Sequence, residues 1–244
     1  MGILKTGMRP VAIDPAALAP WGALWTGTVN STGGAKNAEC FDKKQGMDFG
    51  KVLDRHVANS LAEMLGDIPI VTPGHEALLP PQDDCIELGD TRVIGGVRPQ
   101  NFDLAYRPDG VRIAYDSKTL NDRTSVGKNW QNMINDLATE STTVHTRFPY
   151  AIVAFIVAIP RPALAAAQEF DIIRTLERMA SRRSVQNQNH LAEVISLVVW
   201  DPGNGMVDQA APDPTSVLRI EKFSSILYPI YVERYKGLPP HERS

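Results

Sequence analysis

The stretch "YAIVAFIVAIP", residues 150–160, limits the fold more than any other part of the chain. It is an unbroken apolar run rich in Val, Ile and Ala, about half the length that a membrane crossing needs. Such a run suits a strand buried on both faces, with helices packed above and below it. A second stretch, "LAEVISLVVWD" at residues 191–201, is mostly apolar and reads as another buried strand. Between them "PALAAAQEFDIIRTLERMA" reads as a helix with Pro162 just ahead of its start. Strands clustered upstream, followed by this alternation, indicate one α/β domain: a central mixed β-sheet flanked by helices.

Upstream, "DFGKVLDRHVANSLAEMLG" puts Val52, Leu53, Val57, Leu61, Met64 and Leu65 at helical spacing and closes with Gly66 as a stop signal. Residues 67–99 scatter Pro and Gly around "DIPIV" and "CIEL", which predicts loop with one or two short strands. "KNWQNMINDLATEST" predicts a helix with Trp130, Ile134 and Leu137 on one side. The expected organisation is a single domain over residues 1–244, with an irregular N-terminal arm at 1–46 and a core at 47–201. A C-terminal extension at 202–244 mixes Pro/Gly turns with a strand or helix near "SILYPIYVERY".

A chain of 244 residues can bury a large core. Its net charge of -3 offers no global attraction to nucleic acid, so any such binding has to come from a local basic surface. Cys40 and Cys85 are isolated thiols without metal-like spacing, which fits a reducing compartment. With no signal-type apolar stretch near the start and no run long enough to span a bilayer, a soluble cytoplasmic protein is expected. The five histidines show no ligand spacing, and Trp21, Trp25, Trp130 and Trp200 are expected in the core or at its rim.

The stretch carrying chemistry is "NFDLAYRPDGVRIAYDSKTLND", residues 101–122. "RPDG" suits a type I turn, with Pro108 second and Gly110 fourth. If Arg107 and Gly110 flank a two-residue connection, Tyr106 faces Val111 and Asp103 faces Ala114. Opposed residues share a face and the side-chain period is two, so Asp103, Ala114, Asp116 and Lys118 point the same way. Phe102, Leu104, Tyr106, Val111, Ile113 and Tyr115 take the core side. Asp116 is then diagonal to Asp103 at roughly 7–8 Å between backbones. A divalent ion with ligand distances of roughly 2.0–2.5 Å can sit between the two carboxylates.

That trio suits phosphodiester hydrolysis. Two carboxylates hold Mg²⁺, which polarises a phosphoryl oxygen and lowers the pKa of a water. A lysine beside that water orients it, helps deprotonate it, or offsets charge in the transition state. An oxygen-only donor set points to Mg²⁺ or Mn²⁺ rather than zinc. An amphipathic hairpin with one solvated face would show the same residues, so spacing alone leaves both readings open.

Asp103, followed thirteen positions later by Asp116-Ser117-Lys118, resembles the D…(D/E)-X-K element of the PD-(D/E)XK nuclease superfamily, whose motif rides on a β-hairpin. Phe102 stands where the motif's leading proline would be. The order helix, hairpin, helix, strand, helix, strand is similar to a restriction-endonuclease-like core and spans about residues 50–201. The resemblance implies Asp103, Asp116 and Lys118 as catalytic residues. It also implies an acid on the first core helix after a glycine: "GKVLD" supplies Asp54 as a third metal ligand beside Asp103 and Asp116. On a helix Asp54 lies near Val57, Ala58 and Leu61, at the border of the buried face.

The implied activity is a Mg²⁺-dependent endonuclease on double-stranded DNA, similar to type II restriction enzymes. For a palindromic duplex the implied assembly is a twofold homodimer. Rival readings are a repair, phage or mobile-element nuclease without a recognition sequence, and a non-catalytic DNA- or protein-binding domain of the same fold. For DNA contact, Arg123, Lys128, Asn129 and Gln131 follow the motif and are expected at the mouth of its cleft. Arg182, Arg183, Gln186, Asn187, Gln188 and Asn189 form a loop dense in groups that read base edges. A hydrophilic loop capping a helix C-terminus would look the same.

Overall fold

The computed structural model describes residues 4–241. The chain runs through α1 (Pro15–Thr26), α2 (Lys43–Met64), β1 (Ile70–Val71), β2 (Ile86–Ile94), β3 (Pro99–Tyr106) and β4 (Ile113–Thr119). It continues through α3 (Val126–Arg147), β5 (Ile152–Pro160), α4 (Ala166–Met179), β6 (Val194–Trp200) and α5 (Phe223–Tyr235). The six strands form one sheet in chain order. β2, β3 and β4 pair antiparallel, while β1–β2, β4–β5 and β5–β6 are parallel. The expected α/β architecture with a mixed central sheet is present. Every residue of β5 and β6 is buried, so neither strand alternates.

The two faces of the sheet are covered by different helices. Tyr115 meets Phe223 of α5 edge-on, with ring centroids 6.4 Å apart, and Tyr106 approaches Tyr231 of α5 at 6.5 Å. A Cβ on Gly50 of α2 would stand 2.9 Å from the Ser117 hydroxyl, so α2 covers the same face as α5. The parallel pairs β4–β5 and β5–β6 are joined through α3 and α4, and the right-handed rule for such crossovers puts both helices on the other face. There Glu140 of α3 reaches Lys118.

At the ends, one expectation needs correction and one alternative is decided. The N-terminal arm is not irregular throughout, because α1 forms within it and buries Leu18 and Trp25 completely. The Asp14 side chain caps it by accepting from the Ala16 N–H at 2.9 Å, and a proline follows at the first position. Pro20 and the lack of an amphipathic stripe hide this helix from periodicity. The C-terminal extension ends in helix α5, despite Pro229, and contributes Phe223, Leu227, Ile230 and Tyr231 to the same core. α2 also starts earlier than its apolar spacing suggests. Asp42 accepts from the Gln45 N–H at 2.9 Å, while Gln45 accepts from the Asp42 N–H at 3.1 Å, a reciprocal cap. Among the described residues, no helix is long and apolar enough to cross a membrane.

The hairpin is longer at its tip than a two-residue turn. β3 and β4 pair as Leu104↔Tyr115, Ala105↔Ala114 and Tyr106↔Ile113, joined by the loop 107–112. Buried Arg107 reaches away to Glu87 with two bonds of 2.6 Å, and Arg112 folds onto Asp109 at 2.8 and 2.6 Å. These pairings hold the wider loop in place. The partners are displaced by two residues from the tight-turn register, and two is the side-chain period, so each face keeps its expected residues. Carried one step further, the register sets Asp103 level with Asp116 rather than diagonal to it. The face carrying the acids is not simply solvated either, since Ala105 and Ala114 are fully buried and Asp116 is 7% exposed.

Candidate active site

Four elements supply the site. β3 carries Asp103, β4 carries Asp116, Ser117 and Lys118, α2 carries Asp54, and α3 carries Glu140. At Asp103 the backbone pairing of β3 with β4 ends, and the Asp103 carboxylate takes over as Ser117's partner. It accepts from the Ser117 N–H at 2.9 Å and from the Ser117 hydroxyl at 3.0 Å. This satisfies an amide that would otherwise be orphaned. Gly50 lets α2 press against the same hydroxyl, and Asp54 follows one helical turn later on that face.

The electrostatics are those of a desolvated acidic cluster. Asp54 is 4% exposed and its Oδ1 has no hydrogen-bond partner. Burial pushes its pKa well above the usual carboxylate range, the charge of Asp103 adds to the rise, and the Ser117 and Tyr115 hydroxyls pull partly back. Asp116 is raised well above that range too, first by burial, then by the charge of Asp103 and a hydrogen bond shared with it. Lys118 opposes the rise from the other side. Asp103 therefore acts on both neighbours.

The Lys118 ammonium donates to Asp116 Oδ2 and, at 2.8 Å, to Glu140 Oε1. Burial works against its charge, but Asp116 and Glu140 together outweigh burial and raise its pKa. Glu140 also accepts from the Gln100 amide at 3.2 Å, and its second oxygen is buried without a partner. Sequence reading missed Glu140. Its signal is an acid set into the buried stripe of Met133, Leu137 and Val144, a position where a charge needs a partner.

Asp54, Asp103, Asp116 and Ser117 line one cleft of about 730 Å³, walled by α2 on one side and by Leu88, Gly89 and Asp90 on the other. Lys118 does not line it; the ammonium meets Asp116 from the α3 side, with the side chain 23% exposed. Among the described residues, no three or more His, Cys, Asp or Glu are already gathered as a metal cage. Mg²⁺ asks for less than a cage, since it keeps several waters and binds through one or two carboxylates plus substrate phosphate. Asp103 and Asp116, which line the same cleft, and Asp54 with its unpartnered oxygen are an oxygen-only donor set that fits Mg²⁺ or Mn²⁺.

The residues expected to contact DNA fall in two other places. Arg123 and Lys128 are exposed but border a separate depression with Pro162 and Gln168, not the mouth of the acidic cleft. Arg123 pairs with Glu39 at 2.6 Å, Asn129 donates to the Ser125 hydroxyl at 3.1 Å, and Gln131 is exposed.

In the loop 181–190, Arg182 is fully buried, donating to Glu193 at 2.8 Å and to the carbonyls of Val185 and Pro149. Arg183 donates to the carbonyls of Ala180 and Glu193. Asn187 accepts the N–H groups of Arg183 and Ser184 at 3.0 and 2.9 Å. Arg182 and Asn187 spend their polar groups inside the loop, Arg182 because buried Glu193 needs a cation beside it, while Arg183 bonds backbone carbonyls and stays exposed. Gln186, Gln188 and Asn189 remain exposed, at the N-terminal end of β6, whereas the cleft extends past the C-terminal end of β4 to Asn121. Comparison of the chain with family models, with curated proteins and with solved structures finds no match.

Proposed function

We propose that the protein is a metal-dependent endonuclease that hydrolyses phosphodiester bonds of double-stranded DNA, built on a restriction-endonuclease-like core. One observation carries this: carboxylates from α2, β3 and β4 meet at one cleft, and two of them, Asp54 and Asp116, are raised by burial and by the third. Under-neutralised acids of this kind are a functional-site signature. Asp103 and Asp116 would hold Mg²⁺ or Mn²⁺, with Asp54 completing the acidic set. When bound, the ion supplies charge neutralisation at the phosphoryl oxygens and a more acidic water.

The chain's own groups do the remaining work. Ser117 fixes the Asp103 carboxylate through its N–H and hydroxyl. Lys118, its pKa raised, is an ammonium at neutral pH, which favours a donor and charge-offsetting role over that of a base. Glu140 shares that ammonium with Asp116 and so limits how far it is drawn to either acid.

Arg182 and Asn187 are spent inside the loop 181–190, and its exposed Arg183, Gln186, Gln188 and Asn189 lie at the other end of the parallel strands from the cleft, so type II restriction and cleavage without a recognition sequence both stand. Incubating the purified protein with supercoiled plasmid and Mg²⁺ separates the possibilities. Discrete fragments support a restriction enzyme acting as a twofold dimer, a smear supports a nuclease without a recognition sequence, and intact plasmid supports a non-catalytic binding domain. Asp116→Ala is expected to abolish cutting while DNA binding persists; undiminished cutting refutes the site.

A further inference from the structure

Helix α2 runs along the cleft, and the cations it presents there were not among those expected to meet DNA. Lys43, Met47, Lys51 and Arg55 stand four residues apart, are all exposed, and all line the cleft that holds the three aspartates. Four residues of helix rise ~6 Å, so the stripe spans about 18 Å. Among the described residues, the side chains of Lys43 and Arg55 have no ion-pair or hydrogen-bond partner. Lys51 shares Asp48 with Lys44.

A solvated helix face would answer its lysines with acids three or four positions away, as Asp48 does for Lys44 and Lys51. It would not need a methionine 58% exposed between two lysines. Cations strung along a groove, instead of converging on one point, suit an extended polyanion over a small phosphorylated compound. In a chain of net charge -3 they are also the local basic surface that such binding requires.

Resting on the nuclease reading above for the substrate, we propose that α2 is the track that holds one strand of DNA. Lys43, Lys51 and Arg55 meet its backbone phosphates, and Met47 packs against a sugar or base between them. The strand so held lies over Asp103 and Asp116, with Asp54, on the inner side of the same helix, beneath it.

The test is fluorescence anisotropy of the full-length protein with fluorescein-labelled single-stranded and duplex oligonucleotides, in EDTA, across a range of NaCl concentrations. The triple variant Lys43→Ala, Lys51→Ala, Arg55→Ala is expected to bind about tenfold more weakly or worse. Its slope of log affinity against log salt should fall by about two on single strands and by nearly three on duplex, as three lost phosphate contacts require. The charge-conserving pair Lys43→Arg, Lys51→Arg should bind like wild type, and matching melting temperatures show that the variants fold.

A triple variant with unchanged affinity and slope, beside a wild type that still cuts plasmid, overturns the track and leaves the nuclease reading standing. Stripe-dependent binding by a wild type that never cuts keeps the track and removes hydrolysis. A wild type that binds neither oligonucleotide removes both.

Discussion

At Asp54 stability and chemistry pull in opposite directions. The acid is nearly sealed, one oxygen lacks a partner, and its pKa is raised by burial and by Asp103. A folded state that holds this proton more tightly than the unfolded chain loses stability as pH rises from the unfolded value toward the folded one. Asp54→Asn removes that cost. At pH ~8 we expect calorimetry to show it melting a few degrees higher, since about 1 kcal/mol moves a domain this size by ~2–4 °C. Plasmid cleavage by the same variant should collapse. A variant that melts lower would mean the carboxylate stabilises the fold. The placing of Asp103, Asp116 and Lys118 on one surface was legible in the sequence because strand alternation survives a change of register by two. Glu140 was not, because a helical glutamate declares itself only through the buried company it keeps.

Among the elements, β6 is fastened at its start by a buried charge cluster. Glu193 receives Arg182 at 2.8 Å, Arg234 at 2.9 Å, the Val153 N–H at 2.9 Å and His145 at 3.2 Å. Burial would raise its carboxyl, but His145, Arg234 and the Val153 N–H prevail and hold it below the usual range. A depressed carboxylate gives stability that is present above its unfolded pKa of about 4.3 and fades as pH falls through the lower, folded value. Glu193→Gln leaves buried cations uncompensated and is expected to cost about 3–5 kcal/mol near neutrality. Urea melts should also show a flatter loss of stability below about pH 4.5 in the variant than in wild type; parallel pH profiles would contradict this account. The same cluster explains why Arg182 was expected to meet DNA, since an arginine looks identical in a string whether it is exposed, as Arg183 is, or faces an internal carboxylate. Strands β5 and β6 were the most legible elements, because a run that is apolar throughout, or broken only by Ser196, admits few other fates.

For the whole molecule, the sheet needs both of its covers. Tyr106 and Tyr115 of the hairpin pack against Tyr231 and Phe223 of α5, so the C-terminal segment closes the face that α2 leaves open. A chain ending at residue 201 is therefore expected to be insoluble or molten, losing its sharp thermal transition by near-UV circular dichroism; a cooperative melt would show that α5 is dispensable. α1 is tied in as tightly, since Gly22 leaves no room for a Cβ, which would fall 1.6 Å from the Pro202 carbonyl oxygen. The boundaries expected at 46 and 202 mark changes of composition, not of packing, because the ends are joined to the core by contacts that periodicity cannot reveal. The loop 107–112 sets a rule for how such a chain can vary. Adding or removing a pair of residues there slides one strand along the other and leaves the acids on their own surface, whereas a single insertion turns Asp116 under α2 and exchanges it with a tyrosine or a serine. Descendants of this hairpin that keep the same chemistry should therefore differ in even steps.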